Sequence, residues 1–271
     1  MERIVSFIEP IVEPFGAAIY QIIHSLGRWC TFTFDMLKWL PKKPYRIANL
    51  IRQMESIGVR STPIILLTGL FVGAVFSLQT GKAFALFNAE SLVGATIGLS
   101  LSREIAPVFT ALMVTARACS AMAAELGTMK VTEQIDALET MAVNPLHFLV
   151  CPRVVATTLM TPLLTAIFVF IGMVGAWIVG VHLLEIPHSA FFERLYHYVD
   201  VRDFIGGLIK AGVFGFLISI ISCYNGFMTK GGAKGVGNAT TRAVVVSSVV
   251  VLVTDYFLTT WILEYFGRGT V

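Results

Sequence analysis

Long runs of apolar residues alternate with short polar segments along the chain. Five runs are long enough to cross a membrane, at about residues 62–81, 91–124, 150–184, 204–228 and 241–264. Each supplies the roughly 20 residues that an α-helix needs to cross a hydrocarbon core of about 30 Å. The second and third runs are longer than this, so we expect those helices to tilt or to extend into water. The pattern predicts an all-α integral membrane protein with five transmembrane helices.

The first 44 residues have a different pattern. Apolar and polar positions recur there at helical spacing, which predicts an amphipathic helix that lies in the membrane interface rather than crossing it. Aromatic and basic residues near its end would anchor it at the level of the headgroups. This anchor comprises Trp29, Trp39, Lys38, Lys42 and Lys43. We therefore expect two units, an interfacial elbow helix in residues 1–44 and a five-span domain in residues 45–271.

Three polar segments between these elements predict shorter helices. One covers about residues 45–57, before the first span, and another covers 187–199, between the third and fourth spans. The third covers about 132–143, between the second and third spans. Thr132 is its predicted N-cap, and the Asn-Pro pair at 144 and 145 its predicted end.

The predicted helix at 132–143 has an acidic start and an apolar face. Glu133 and Asp136 fall in its first turn, where carboxylates favour the helix dipole. The apolar face comprises Ile135, Leu138 and Ala142. An ordinary connector between two spans is the plain alternative. The combination of features, placed between two long spans, favours a cytoplasmic helix that docks a partner protein.

Composition supports the membrane assignment. The 271 residues are 56% hydrophobic and only 14% charged, whereas soluble domains carry about 25% charged residues. Mean hydropathy is +0.77. The net charge of +3 is small, and we do not interpret it as a sign of nucleic-acid binding. If the N-terminus is cytoplasmic, most of the 20 Lys and Arg residues lie on the cytoplasmic side, as the positive-inside rule requires. Five spans then place the C-terminus outside.

Charged residues inside the predicted spans are the first functional candidates. Arg103 and Glu104 interrupt the second span, and Lys210 lies in the fourth. A charge at mid-bilayer costs about 2.5–3.5 kcal/mol on insertion scales, so such residues usually serve a function. Pro107 lacks the N–H that would bond the carbonyl of residue 103, which frees an acceptor beside the pair and permits a kink. A substrate pathway is the favoured interpretation, and a structural ion pair that locks two helices is the alternative.

Two further acidic residues are interpreted as structural. Asp255 in the last span is expected to cap a neighbouring helix, and Glu125 at the end of the second to lie at the water boundary. Glycines in the first, third and fourth spans predict close helix packing of the GxxxG kind. They comprise Gly69, Gly73, Gly172, Gly175, Gly206, Gly207, Gly212 and Gly215.

No enzymatic motif accompanies these charges. The sequence contains no HExxH and no GxSxG, and the glycine-rich segment GGAKGVG at 231–237 is not a P-loop. A membrane-embedded enzyme that uses Glu104 or Asp255 would need a nucleophile or a metal set, which we do not see. Transport against a gradient would therefore need ATP hydrolysis by another chain. The cysteines have no CxxC spacing and are expected to be reduced packing residues. They are Cys30, Cys119, Cys151 and Cys223.

Two segments carry a resemblance to a known family. Residues Ser100 to Ala156, which include TEQIDALETMAVNP, and residues Asn238 to Thr259 resemble the MlaE (YrbE) permease family. Members of that family are the membrane subunits of ABC transporters that work with MCE-domain proteins, and the similarity runs from about residue 45 to 264. It implies a homodimer that moves phospholipid between the inner and outer membranes of bacteria. A permease for a small polar solute remains the alternative.

The resemblance also implies partners and sites. A cytoplasmic ABC ATPase would bind ATP and Mg²⁺, a periplasmic MCE-domain protein would receive or deliver lipid, and a STAS-type protein often joins the ATPase; this chain itself would hold no cofactor. The implied substrate-binding residues are Arg103, Glu104 and Lys210, with acyl chains against Leu70, Val75 and Leu78 of the first span. The implied ATPase-coupling residues are Thr132, Glu133, Ile135, Asp136, Leu138 and Glu139.

Overall fold

A computed structural model describes residues 24, 27–43 and 46–266 of the chain, and this part contains helices and turns but no strand. Most of the predicted elbow helix, residues 1–26 apart from His24, lies outside the described residues. The helices are α1 (27–39), α2 (Ile47–Ile57), α3 (Thr62–Ala85), α4 (Glu90–Val131), α5 (Gln134–Thr140), α6 (Leu146–His182), α7 (His188–Tyr198), α8 (Val201–Phe227) and α9 (Gly232–Phe266).

The five predicted spans are confirmed as α3, α4, α6, α8 and α9, which are long and apolar enough to cross a membrane. The predicted helices before the first span and after the third are also confirmed, as α2 and α7. One boundary differs markedly. The last span begins at Gly232 rather than near residue 241, because most of the glycine-rich segment joins the helix after Gly231 and Gly232 turn the chain with positive φ.

Helix α4 is not a regular α-helix. It contains two π-turns, Leu101–Ile105 and Thr115–Cys119, and a third π-turn, Leu146–Val150, begins α6. Such turns insert an extra residue into the helix and occur frequently at functional sites. Pro107 follows the first of them, where the missing N–H fits the changed hydrogen-bond register. The pair Arg103 and Glu104 lies inside this first turn.

Most of the predicted glycines bring the spans into close contact, whereas Gly206 and Gly212 leave room for a Cβ at 3.6 Å. A Cβ on Gly73 of α3 would collide with the backbone carbonyl of Gly172 in α6, and a Cβ on Gly175 would collide with the carbonyl of Leu70. Because both obstacles are backbone atoms, neither helix could yield without moving as a whole. Helices α3 and α6 therefore pack backbone to backbone, and this pair forms one side of the bundle.

The short helix α5 differs from its prediction in length and capping. It covers Gln134–Thr140 instead of 132–143. Thr132 is not its N-cap, because the Thr132 hydroxyl donates to the carbonyl of Thr128 at 2.8 Å and stays with the end of α4. The N-cap position is held by Glu133 in the left-handed region at φ 60°, with no side-chain cap. Asn144 lies just before α6, and its Oδ1 accepts the backbone N–H of the first residue of that helix, Leu146, at 2.9 Å.

The apolar face of α5 packs against the chain itself. Ile135 is fully buried, in a cluster with Phe32 and Met36 of α1 and Leu126 of α4. Leu138 packs against the same cluster. Ala142, the third residue of the predicted face, does not, because it lies beyond the end of α5 at φ 56° and is exposed. The described part of the elbow helix is thus tied to α5 and to the ends of the spans, and the surface that α5 leaves exposed is mainly acidic and polar.

Candidate functional site

Lys210 is the most deeply buried charge among the described residues, with a side chain only 2% exposed. Its ammonium group lies 2.7 Å from Glu104 Oε2 in α4 and 3.4 Å from Asp255 Oδ1 in α9. It also donates to Thr259 Oγ1 at 2.7 Å and to the carbonyl oxygen of Arg103 at 3.1 Å. An ammonium has three N–H donors, so these acceptors occupy all of them. Lys210 therefore joins α4, α8 and α9 at one point.

The carbonyl of Arg103 is the acceptor that Pro107 leaves without its usual helical donor. The Lys210 ammonium supplies a hydrogen bond in place of the missing N–H. Glu104 also accepts from the Thr259 hydroxyl at 3.1 Å. The predicted free acceptor beside the charged pair is thus present, and it is used to bind a lysine from another helix.

Arg103 has a different partner. Its Nη2 lies 2.8 Å and its Nε 2.9 Å from Asp203 Oδ1, at the start of α8. Asp203 is also part of a capping box, because its Oδ2 accepts the backbone N–H of Asp200 at 3.1 Å. The Arg103 side chain remains 42% exposed, whereas that of Asp203 is 13% exposed. Asp203 therefore fixes the position of the Arg103 guanidinium, and part of the Arg103 side chain remains accessible.

These groups border a cavity of about 620 Å³ between α4, the end of α7, the start of α8 and the end of α9. Its size lies within the range of about 300–1,000 Å³ that is usual for ligand pockets. Its lining combines apolar and charged groups of both signs. The lining residues are Leu99, Arg103, Glu104, His197, Tyr198, Asp200, Arg202, Asp203, Gly206, Gly207, Lys210, Thr259 and Ile262.

Gly207 determines how closely α8 approaches this cavity. A Cβ at Gly207 would collide with the backbone carbonyl of Ser102 in the first π-turn, whereas a Cβ at Gly206 would meet only Ile262 at 3.6 Å. One turn after Gly207, Lys210 can therefore reach the carbonyl of Arg103. The close approach of α8 to α4 at Gly207 is thus what allows Lys210 to bind the first π-turn.

The structure brings only part of the predicted substrate site together. Arg103, Glu104 and Lys210 meet at the cavity, but Leu70, Val75 and Leu78 lie on α3 and are not among its lining residues. Val75 is 51% exposed on the outer surface of the described bundle. Any contact of these three residues with acyl chains would be made on a surface separate from the cavity.

Sequence reasoning missed Asp203 and Thr259 as partners of the charged pair. Asp203 stands three residues after Asp200 at the start of an apolar run, which is the spacing of a capping box. That signal indicates a helix start but not an arginine partner a hundred residues earlier. Asp255, which was interpreted as a helix cap, binds Lys210 instead. Glu125 is largely exposed, as a residue at the water boundary would be, and it pairs with the buried Arg153 at 3.1 Å.

At the other end of α4, the predicted coupling residues divide into two groups. Ile135 and Leu138 face the interior of the chain, whereas Thr132, Glu133, Asp136 and Glu139 are exposed. Asp136 pairs with Lys130 of α4 at 2.6 Å. The exposed group, together with Met141, which is 72% exposed, forms the part of this region that can meet another molecule.

Comparison with known proteins identifies the family. The sequence matches the family described as Permease MlaE over residues 50–261. A probable ABC transporter permease protein of Rickettsia felis is 43% identical over 249 residues, which cover 92% of this chain and 96% of that protein. The intermembrane phospholipid transport system permease protein MlaE of Haemophilus influenzae is 38% identical over 267 residues, or 98% of this chain and 100% of that protein.

A plant protein is also similar. The chloroplastic protein TRIGALACTOSYLDIACYLGLYCEROL 1 of Arabidopsis thaliana is 37% identical over 221 residues, which cover 82% of this chain and 63% of that protein. The family match spans most of the chain and overlaps all five candidate membrane spans. This multi-pass membrane protein therefore belongs to the MlaE permease family.

Proposed function

We propose that this chain is the permease subunit of an ABC transporter that moves phospholipids between the inner and outer membranes of a bacterium. It would lie in the inner membrane as a homodimer, with the N-terminus in the cytoplasm and the C-terminus in the periplasm. A separate ATPase would bind ATP and Mg²⁺, and MCE-domain and STAS-type proteins would complete the assembly. The name of the Haemophilus influenzae relative, which specifies intermembrane phospholipid transport, supports this proposal.

The observation that carries the proposal is the amphipathic cavity around Arg103. A phospholipid headgroup brings a phosphate and often an amine, and the cavity offers a half-exposed guanidinium beside carboxylates. Arginine binds phosphate through paired, charge-assisted hydrogen bonds. The three N–H donors of the Lys210 ammonium are already hydrogen-bonded within the chain. We therefore expect Arg103, rather than Lys210, to contact the phosphate. Asp200 and Glu104 line the same cavity, and we expect a headgroup amine to bind near these carboxylates.

Replacing Arg103 is the direct test of this role. Arg103→Gln removes a charge-assisted hydrogen bond, which contributes about 1.5–3 kcal/mol and so about tenfold or more in binding. We expect phospholipid that co-purifies with the complex, and lipid-stimulated ATP hydrolysis, to fall by about that factor. Both are measured in the complex with its ATPase, by mass spectrometry of extracted lipid and by phosphate release.

The matched control is Arg194→Gln. Arg194 is an exposed arginine of α7 that does not line the cavity, so its removal is expected to change neither quantity. Equal lipid content and equal stimulation in the Arg103→Gln and Arg194→Gln complexes would refute a headgroup role for Arg103. A small polar solute that stimulates ATP hydrolysis where phospholipid does not would favour the alternative substrate class.

Coupling to the ATPase is expected to depend on the exposed residues around α5. The double change Glu133→Lys, Glu139→Lys reverses two exposed charges and should reduce ATPase binding without lowering the thermal unfolding midpoint of the isolated chain. Ile135→Ala should lower the unfolding midpoint and leave the ATPase-binding surface intact. Truncation of a fully buried isoleucine lowers the free energy of unfolding by about 2–5 kcal/mol. Pull-down of the ATPase and thermal unfolding separate the two effects. Normal ATPase binding by the charge-reversed chain would contradict this surface.

A further inference from the structure

A second cavity lies at the end of the bundle that carries α5, away from the Arg103 cavity. Its volume is about 260 Å³, and it lies open to the surface between Leu40 just after α1, the start of α2 and the start of α6. Apolar side chains form most of its wall, with Arg46 and His147 as its polar residues. The apolar wall comprises Leu40, Ile47, Leu50, Cys151, Pro152 and Val155.

Basic and aromatic residues adjoin this cavity through contacts with two of its lining residues, Arg46 and His147. The Lys42 ammonium lies 3.9 Å from the ring centre of Trp39, and the Arg46 guanidinium lies 4.2 Å from the ring centre of Phe148. The His147 ring nitrogen Nε2 lies 2.9 Å from the Lys42 carbonyl oxygen, which ties the end of α1 to the start of α6. Cation–π contacts hold both cations in place without neutralising them.

The positive charges of Lys42, Lys43 and Arg46, next to this cavity in the chain, form no ion pair in the part of the chain that the structure describes. The ion pairs found among residues 24, 27–43 and 46–266 do not involve Lys42, Lys43 or Arg46. The acidic residues of α5 are not part of this cavity. An apolar pocket with an uncompensated cationic rim thus lies beside a tryptophan.

This combination matches the chemistry of one class of ligand. Tryptophan and lysine at a helix end are typical of the level of lipid headgroups, and basic pockets between transmembrane helices bind anionic headgroups. A free anion would use the cations but not the apolar wall. We propose that this pocket binds one phospholipid of net negative charge, with its phosphate between Lys42 and Arg46 and an acyl chain against Leu50 and Val155.

A lipid held here would be distinct from the transported one. It would contact α1, α2 and α6 together and so attach the elbow helix to the spans, at the opposite end of the bundle from Arg103. The proposal does not depend on which substrate the Arg103 cavity takes, because the two cavities share no lining residue. It concerns a lipid that stays with the protein.

Trp39 is a local reporter of this site. A full-length chain with Trp29→Phe, Trp177→Phe and Trp261→Phe keeps Trp39 as its only tryptophan, since the sequence has 4. The chain is placed in phosphatidylcholine nanodiscs, and phosphatidylglycerol with brominated acyl chains is added in steps. We expect Trp39 fluorescence to be quenched at least twofold more than by brominated phosphatidylcholine at the same mole fraction, and the excess quenching to saturate.

Two variants test the two halves of the pocket. Lys42→Gln, Arg46→Gln removes the cationic rim, and Val155→Phe fills the apolar interior without changing any charge. Each should abolish the excess quenching by phosphatidylglycerol. The matched control Arg52→Gln, Arg60→Gln removes two exposed cations from the same region that do not line the pocket, and it should retain the excess.

Three results would overturn the proposal. Equal quenching of Trp39 by the two brominated lipids, in the chain that carries only the three tryptophan substitutions, would show that the pocket does not select an anionic lipid. Retention of the excess in the Lys42→Gln, Arg46→Gln chain would assign the selectivity to the general surface charge. Loss of the excess when inorganic phosphate is added at constant ionic strength would make this an anion site rather than a lipid site.

Discussion

Lys210→Met is expected to destabilise the purified chain: its free energy of unfolding should fall by about 3–5 kcal/mol, the usual cost of removing one partner from a buried ion pair. The side chain is 2% exposed and touches acceptors from two other helices. Without it, Glu104 and Asp255 would face each other unpaired in the membrane. The measurement is the midpoint of thermal unfolding in detergent, compared with the unmodified chain.

Two further variants make the result specific. Lys82→Met removes an exposed lysine at the end of α3 and should leave the unfolding midpoint unchanged. Lys210→Met combined with Glu104→Gln and Asp255→Asn leaves no unpaired charge, so it should recover most of the loss. If Lys210→Met unfolds at the same temperature as the unmodified chain, Lys210 does not hold the three helices together.

The second large effect is expected from Gly207→Ala, which adds a single methyl group and should lower both stability and ATP hydrolysis. Gly207→Ala would press a Cβ into the Ser102 carbonyl of the first π-turn, and backbone atoms there can yield only if α8 and α4 separate. Overpacking of this kind costs about 1–3 kcal/mol. The separation also draws Lys210 away from Glu104 and from the Arg103 carbonyl, so we expect lipid-stimulated ATP hydrolysis by the complex with the proposed ATPase to fall about tenfold, which corresponds to about 1.4 kcal/mol.

Gly212→Ala is the matched control, because its Cβ would meet only the Pro162 side chain at 3.6 Å and Gly212 does not line the cavity. It makes the same chemical change five residues later in the same helix. Unfolding midpoints and ATP hydrolysis are measured for both variants in parallel. Similar behaviour of the two alanine variants would contradict a close approach of α8 to the π-turn.

The pattern of apolar and polar residues was sufficient to locate the spans and the charged pair. Hydropathy locates spans because lipid excludes charge along about 20 residues, and the same rule makes Arg103, Glu104 and Lys210 conspicuous. The free carbonyl of Arg103 followed from Pro107, since the covalent structure of proline fixes which hydrogen bond is lost. These predictions depend on local chemistry, which the sequence displays directly.

The partners of those charges could not be predicted in the same way. Nothing local indicates that Arg103 pairs with Asp203 while Lys210 takes Glu104, because both pairings depend on how α4, α8 and α9 pack. The apolar face of α5 gives a second example. Its spacing predicts a buried face, but only the fold shows that Ile135 is covered by α1 and α4 of the same chain.

The most direct test of the proposed function is ATP-dependent transfer of labelled phospholipid by the reconstituted complex. Donor vesicles would carry the chain with the proposed ATPase and MCE-domain partners, and acceptor vesicles would carry no protein. We predict that label exchange between the vesicles requires ATP, and that Arg103→Gln reduces it about tenfold, in proportion to the lost phosphate contact, whereas Arg194→Gln does not. Uptake of a small polar solute with no transfer of phospholipid would contradict the account.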